Sequence, residues 1–145
     1  MKKVFLVLCF LLLLVGCSKD SSNILSFKYK YGFGESKYIA YDIKYENKKY
    51  RLKHENKENG NVTVKLKYIK KSDVKKIEDL ISKYEIDKWN GFDESNNSHL
   101  DGSYFELDVK YNNGETIRAT GYMKTPDNYE EGHHALINLL NTFIE

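Results

Sequence analysis

Apolar and polar residues alternate through most of the first half of the chain. Phe27, Tyr29 and Tyr31 interleave with Lys28 and Lys30, and a period of two is typical of a half-buried strand. Three further segments alternate in the same way, with short polar turns between them. The chain is therefore predicted to open with four strands, of which the last three carry apolar rows at Ile39, Tyr41, Ile43 and Tyr45, at Tyr50, Leu52 and His54, and at Val62, Val64, Leu66 and Tyr68.

The turn before the fourth strand contains Asn59-Gly60, a pair that favours a two-residue hairpin loop. That loop would place Val64 opposite Glu55, an apolar side chain against a charge. A three-residue loop, Glu58-Asn59-Gly60, places Val64 opposite His54 and aligns the apolar rows of the two strands. Because strand register follows the buried face, we predict the longer loop, with Gly60 in the left-handed conformation.

A helical period replaces the alternation after the fourth strand. Ser72 or Asp73 can cap this helix, and its apolar residues fall on one side. A turn with the only tryptophan, Trp89, follows, and the polar residues 93–102 are predicted to form a loop. The apolar side of the helix carries Val74, Ile77, Leu80, Ile81 and Tyr84.

A second hairpin is predicted after this loop, because Phe105, Leu107, Val109 and Tyr111 alternate with polar residues. A three-residue loop, Asn112-Asn113-Gly114, pairs Val109 with Ile117 in the returning strand. A two-residue loop would set Val109 against Arg118, so we predict the three-residue loop.

The chain is predicted to end in a second helix. Pro126 stops the extended segment, and Asp127 with Glu130 has the spacing of a capping box. The order ββββαββα then predicts an α+β domain, with a mostly antiparallel sheet of about six strands and two helices packed on one face. The buried side of the last helix is predicted to carry Leu136, Leu139, Leu140 and Phe143.

The start of the chain has the pattern of a bacterial lipoprotein. Lys2 and Lys3 precede an apolar run over residues 4–15, which is shorter than the ~20 residues that cross a bilayer as a helix. The run ends at Leu14-Val15-Gly16-Cys17, a lipobox. We predict a signal peptide over residues 1–16, cleavage after Gly16, lipidation of Cys17, a flexible tether over residues 17–23 and a single domain over residues 24–145.

This processing predicts where the domain is located. A lipidated cysteine carries two acyl chains, which are enough for stable anchoring. The expected location is the extracytoplasmic face of the cell membrane. The chain after the cleavage site has no second cysteine, so an internal disulfide is excluded and stability must come from the core.

The C-terminal 60 residues carry a motif series that resembles a known family. The series is Trp89-Asn90-Gly91-Phe92, Asp101-Gly102, the strand from Phe105 to Tyr111, Asn113-Gly114, Ile117, Gly121-Tyr122, Pro126 and Asn128-Tyr129. It is similar to a domain of unknown function found in lipoproteins and other proteins of Gram-positive bacteria. The resemblance implies a surface lipoprotein and implies no catalytic residues.

Charge is divided unequally along the chain. Residues 18–71 contain 14 Lys and Arg against 6 Asp and Glu, a balance of +8, and residues 72–145 contain 7 against 15, a balance of −8. The cations at polar strand positions predict a basic sheet face that meets an anionic wall polymer, lipid head groups or an envelope protein. The alternative is that the acidic half folds beside the basic half and neutralises it. The predicted anionic-surface residues are Lys28, Lys30, Lys44, Arg51, Lys53, Lys65 and Lys67.

Residues with catalytic or metal-binding chemistry are few. His99, Asp101 and His133 are the candidate metal ligands, but zinc requires three or four converging ligands, and we predict no metal and no cofactor. The sequence has no G-x-S-x-G motif and no recognised nucleic-acid-binding motif. We predict a non-catalytic binding or interaction module that does not bind nucleic acid.

The alternative is an envelope enzyme or metal-binding protein that uses His99, Asp101 and His133. Trp89 and Phe92 are interpreted as core residues rather than as anchors for a ligand.

Overall fold

The computed structural model describes residues 22–34, 36–96 and 102–145. These residues form seven strands, two α-helices and one 3₁₀ helix. The predicted signal peptide and Cys17 lie outside the described residues. The strands are β1 (Ile24–Phe33), β2 (Lys37–Glu46), β3 (Lys49–Glu58), β4 (Asn61–Ile69), β5 (Asp93–Ser95), β6 (Ser103–Tyr111) and β7 (Thr116–Tyr122), and the helices are α1 (Lys71–Lys83), the 3₁₀ helix (Ile86–Trp89) and α2 (Tyr129–Thr142).

The seven strands form one mixed sheet in the order β4-β3-β2-β1-β6-β7-β5. All neighbours are antiparallel except β5, which is parallel to β7. The predicted α+β class with two helices is confirmed, but the sheet has one strand more than expected. Residues 93–95 were predicted to be part of a loop, and they form β5. Three exposed residues are too few to show an alternation, and backbone pairing together with a hydrogen bond from Thr120 Oγ1 to Asp93 Oδ1 (2.6 Å) holds them.

The core lies between the sheet and the helices as a single cluster. Val74 and Ile77 of α1 and Leu136 and Leu140 of α2 have no exposed surface. Among the described residues, every buried hydrophobic side chain lies between Ile24 and Phe143, so a chain that begins at Ser22 retains this core. The largest fully buried side chains are Trp89, Tyr29, Tyr41, Phe27, Phe105, Ile24, Ile43, Leu52, Ile77, Ile86, Leu136 and Leu140.

The predicted register of the β3–β4 hairpin is wrong. Glu58 pairs with Asn61, which leaves a two-residue loop. Asn59 and Gly60 both have positive φ, 51° and 80°, as a type I′ turn requires. Val64 therefore lies opposite Glu55. This is the pairing that sets an apolar side chain against a charge, and alignment of the apolar rows disfavours it.

The position of β4 in the sheet explains this register. β4 is an edge strand, and it carries apolar residues on the face that the helices leave open. Turn chemistry therefore decides the register, because no buried face on β4 competes with it. The apolar residues of this row are exposed: Val62 (48%), Val64 (49%), Leu66 (62%) and Tyr68 (65%).

The register predicted for the β6–β7 hairpin is confirmed. Val109 pairs with Ile117, and Leu107 pairs with Ala119. Tyr111 N donates to Glu115 O at 2.9 Å and closes the three-residue loop. Gly114 has the predicted positive φ, 89°.

Replacement of Gly114 by valine is expected to destabilise the domain by about 1 kcal/mol or more, because a β-branched residue is strained at this φ. A Cβ at this position would meet no atom within 4 Å, so the loss reports mainly backbone strain. The measurement is urea unfolding. Gly114→Asn is the control and should lose less, since asparagine tolerates the left-handed region. Equal losses in the two variants would contradict the assignment.

Both helices begin at residues other than the predicted ones. The N-cap of α1 is Lys70 rather than Ser72 or Asp73. Asp73 lies in the first turn, where its carboxylate accepts a hydrogen bond from Lys70 N (3.2 Å). Asn128 precedes α2 with a φ of 58° and no side-chain cap, so the capping box predicted at Asp127 does not form. Neither helix of the described residues is long and apolar enough to cross a membrane.

Candidate functional site

The face of the sheet away from the helices is the open face. Residues directly opposite each other on neighbouring strands share a face, so the register arranges the open-face side chains in rows that cross the sheet. One row alternates in charge from β3 to β7. Its members are Lys53, Asp42, Lys28, Asp108 and Arg118.

Carboxylates lie beside most of the cations on this face. Lys30 Nζ is 3.6 Å from Glu106 Oε1, and Lys53 Nζ is 2.8 Å from Glu55 Oε1. β6 comes from the acidic half of the chain, yet it pairs with β1 from the basic half. The strand order therefore mixes the two charge signs, and the open face is not the one-signed basic surface that the charge distribution predicted. Further ion pairs join Lys28 to Glu106, Lys44 to Asp42, Arg51 to Glu46 and Arg118 to Asp108.

Five of the seven predicted anionic-surface residues lie on the open face, and two do not. Lys65 pairs with His54 and Lys67 pairs with Leu52, which places both lysines on the helix side of the sheet. The expectation that all seven share one face is wrong for these two, as a direct result of the β3–β4 register. The five on the open face are Lys28, Lys30, Lys44, Arg51 and Lys53.

Three tyrosines form a cleft at one end of the open face. Tyr38 and Tyr104 lie on either side of Gly32, and Tyr104 pairs with Tyr122. Together with Lys30 and Lys57 they line an open cleft of about 520 Å³, which we name the tyrosine cleft. The three tyrosines are half-buried.

Two lysines lie over the tyrosine rings. Lys30 Nζ is 4.8 Å from the Tyr38 ring centroid and 5.1 Å from that of Tyr104. Lys57 Nζ is 5.8 Å from the Tyr38 centroid. These distances allow cation–π attraction, which holds the ammonium groups beside the ring faces. The cleft thus offers flat aromatic surface together with positive charge, and Glu106 partly neutralises that charge.

A second polar cluster lies on the helix side of the sheet. Tyr29 of β1 and His133 of α2 are joined by a hydrogen bond of 2.6 Å between the hydroxyl and Nδ1. The Tyr129 hydroxyl lies 3.3 Å from that of Tyr29. An adjoining cleft of about 240 Å³ is lined by Tyr31, Lys124 and His134, among others.

The groups of this cluster are uncharged at neutral pH. Burial raises the pKa of Tyr29 well above its usual value, and the neighbouring Tyr129 adds to the effect. Burial also raises the pKa of Tyr129 to about 12. The pKa of His133 is lowered, first by burial and then by the charge of His134. A protonated Tyr29 that donates to a neutral His133 satisfies both groups, so the arrangement stabilises the core and provides no activated nucleophile.

The lowered pKa of His133 predicts that the domain loses stability on mild acidification. The unfolded chain takes up a proton near the usual histidine pKa of about 6.5, whereas the folded chain takes it up only at lower pH. The stability that His133 contributes is therefore fully present above about pH 6.5. It is lost as the pH falls from there through the lower pKa of His133 in the folded chain.

His133→Gln should flatten this dependence, because glutamine retains an acceptor for the Tyr29 hydroxyl and does not titrate. The measurement is the free energy of urea unfolding at a series of pH values. His134→Gln is the matched control, since the His134 side chain is 72% exposed and lies 3.7 Å from Glu130. An unchanged profile in His133→Gln would contradict the prediction.

The remaining predicted site residues are not brought together within the described structure. His99 and Asp101, two of the three candidate metal ligands, lie outside the described residues. Across residues 22–34, 36–96 and 102–145, no group of three or more His, Cys, Asp or Glu side chains could hold a metal. Trp89 is 1% exposed and belongs to the core, and Phe92 stacks on Phe105 with their centroids 6.2 Å apart. The interpretation as a core residue is confirmed for Trp89, whereas Phe92 is half-buried and packs against the core from outside.

Comparison of the sequence with models of known protein families and with curated proteins gives no match. The resemblance of the C-terminal motif series to a domain of Gram-positive lipoproteins therefore stays a prediction.

Proposed function

We propose that the protein is a lipid-anchored, non-catalytic binding module of the cell envelope, attached through Cys17, that binds an anionic wall polymer in the tyrosine cleft. The anchoring is inferred from the lipobox and the apolar run before it. Both helices lie on one face of the sheet, which leaves the other face available to a ligand. The observation that carries the proposed ligand site is the juxtaposition of three tyrosines from three strands with Lys30 and Lys57.

The chemistry of the cleft suits a polymer that combines sugar rings with anionic groups. Aromatic rings present broad, rigid apolar surface at little entropic cost, and the C–H faces of a sugar ring can pack against them. Lys57 lines the cleft and has no carboxylate within 4.0 Å among the described residues, so its charge is available to an anionic group. The expected ligand site is therefore this cleft rather than the whole open face.

Binding of purified anionic wall polymer to a chain that begins at Ser22 tests the ligand site. Tyr38→Ala and Tyr104→Ala are each expected to weaken binding by about tenfold, equivalent to ~1.4 kcal/mol. Tyr84→Ala is the matched control, because Tyr84 is a half-buried tyrosine at the end of α1, on the helix side of the sheet and outside the cleft. Equal binding by all four proteins would reject the cleft as the ligand site.

A separate variant tests how much the charge of Lys57 contributes to polymer binding. Lys57→Gln should weaken binding at low salt and have a smaller effect at high salt, because exposed charges are screened over about 8–10 Å. A loss that is independent of salt would assign Lys57 a steric role.

A further inference from the structure

One end of the sheet gathers lysines that have no carboxylate partner. The β2–β3 turn, the end of β4, the start of α1 and the end of β6 meet here, because Glu46 pairs with Lys49, Tyr50 with Ile69, and Ile24 with Tyr111. Six lysines lie at this end, and no carboxylate of the described residues is within 4.0 Å of their ammonium groups. We name it the basic end, and its lysines are Lys48, Lys49, Lys67, Lys70, Lys71 and Lys110.

The basic end differs from most of the open face, where Lys57 is the exception, in that its lysines have no carboxylate partner. On the open face, Lys28, Lys30 and Lys53 each have a carboxylate within 4.0 Å. At the basic end, Glu46 is paired with Arg51, Asp73 with Lys76, and Glu78 with Lys75. Glu115 in the β6–β7 turn is a further carboxylate at this end, and it lies more than 4.0 Å from the six ammonium groups. Unpaired lysine side chains are therefore gathered at this end of the sheet rather than spread across the open face.

A small cleft at the basic end combines three of these lysines with two exposed aromatic rings. Lys48, Lys49 and Lys71 line a cleft of about 170 Å³ together with Tyr45 and Tyr68. Tyr45 is 44% exposed and Tyr68 is 65% exposed. Lys49 Nζ lies 5.7 Å from the Tyr68 ring centroid. Tyrosine is enriched where proteins meet the membrane–water interface, and lysines beside it attract anionic head groups.

The start of the described chain lies at this same end. Asn23 O accepts a hydrogen bond from Asn112 N (2.8 Å) in the β6–β7 turn, and Ile24 O accepts one from the Tyr50 hydroxyl (2.7 Å). Ser22 is buried, and its hydroxyl accepts a hydrogen bond from Ile24 N (3.2 Å), so Ser22 and Asn23, the last residues of the predicted tether, are held against the domain. At no more than ~3.6 Å per residue, the chain from Cys17 to Asn23 spans at most about 22 Å.

We infer that the basic end docks on the anionic lipid surface of the membrane. The orientation rests on the proposed anchoring at Cys17, which would hold this end within about 22 Å of the bilayer. The lysines of the cleft contact head-group phosphates, and Tyr45 and Tyr68 lie at the head-group level. The tyrosine cleft is at the opposite end of the sheet and then faces away from the membrane.

Vesicle co-sedimentation tests this docking with a chain that begins at Ser22, which retains the whole core and lacks the lipidated cysteine. We expect binding to vesicles that contain phosphatidylglycerol, little binding to pure phosphatidylcholine vesicles, and loss of binding at high salt. The triple variant Lys48→Gln, Lys49→Gln and Lys71→Gln should bind about a hundredfold more weakly, at roughly fivefold for each charge. The corresponding Lys→Arg triple should bind like the parent chain.

A matched triple variant separates the local effect from the change in net charge. Lys37→Gln, Lys88→Gln and Lys124→Gln removes the same charge away from the basic end, and we expect it to change binding less than threefold on the same scale. Equal losses in the two glutamine triples would overturn the inference, as would equal binding to phosphatidylcholine alone. Displacement from the vesicles by soluble wall polymer, with the same dependence on the three lysines, would reassign the surface to that polymer.

The result of the vesicle experiment does not depend on whether the tyrosine cleft binds a wall polymer. The test chain lacks Cys17, and the variants leave Tyr38, Tyr104 and Lys57 unchanged. Loss of polymer binding in the cleft variants therefore leaves the vesicle result intact, and failure on vesicles leaves the polymer result intact.

Discussion

Trp89→Ala is expected to lower the free energy of unfolding by about 3–5 kcal/mol, the usual cost of truncating a large buried aromatic residue. Trp89 is 1% exposed, and its ring centroid lies 5.3 Å from that of Tyr129 and 5.9 Å from that of Phe105. A Cβ on Gly132 of α2 would lie 2.7 Å from Trp89 Cζ2, so the helix packs directly on the indole. Domains are stable by only ~5–15 kcal/mol, so the variant should lose a large fraction of the stability of the domain.

Trp89→Phe is the informative control for this prediction. The indole Nε1 is buried and has no hydrogen-bond partner among the described residues, so phenylalanine removes an unsatisfied donor together with part of the ring volume. Its loss should be clearly smaller than that of Trp89→Ala in urea unfolding of the chain that begins at Ser22. A loss below ~1 kcal/mol for Trp89→Ala would contradict the central position of the indole in the core.

Cys17→Ala is expected to abolish lipid anchoring. Each buried CH₂ of an acyl chain contributes about 0.8 kcal/mol, and two chains are needed for an anchor that persists. Without the thiol there is no lipid attachment, so the chain should remain uncut or be released. The measurement is fractionation after a high-salt wash, which removes protein held by the basic end alone, together with the mass of the mature N-terminus.

Cys9→Ala provides the matched control, because it replaces the only other cysteine of the chain within the apolar run. It should remain anchored and be processed after Gly16. A Cys17→Ala protein that is cut after Gly16 and still resists the salt wash would reject the lipobox interpretation.

The two hairpins show how far the sequence predicts the register of the sheet. Val109 and Ile117 belong to strands whose apolar rows both face the core, so a buried face decided their pairing and the prediction was right. Val64 and Leu66 lie on an edge strand outside the core, so the same argument failed there. A period of two identifies a strand, but it does not identify which face the helices will cover.

The site residues were harder to predict, because strand order brings them together. Tyr38, Tyr104 and Tyr122 occupy polar positions of their strands, and that placement is the only sequence signal for the tyrosine cleft. Their proximity depends on β1 lying between β2 and β6. Likewise Tyr29 and His133 are 104 residues apart in the chain. The net charge of each half of the chain follows directly from the sequence. Because β6 of the acidic half lies beside β1 of the basic half, acidic and basic side chains share the open face.

The exposed edge of β4 has a consequence for the behaviour of the protein in solution. Within the described chain β4 pairs only with β3, so its other edge offers unpaired backbone groups beside a row of exposed apolar side chains. Such an edge is a template for strand-to-strand association between copies. Lys65 and Lys67 of β4 disfavour this association, because their positive charges repel each other when two such edges approach. Screening weakens that repulsion, so concentrated solutions should aggregate more readily as ionic strength rises.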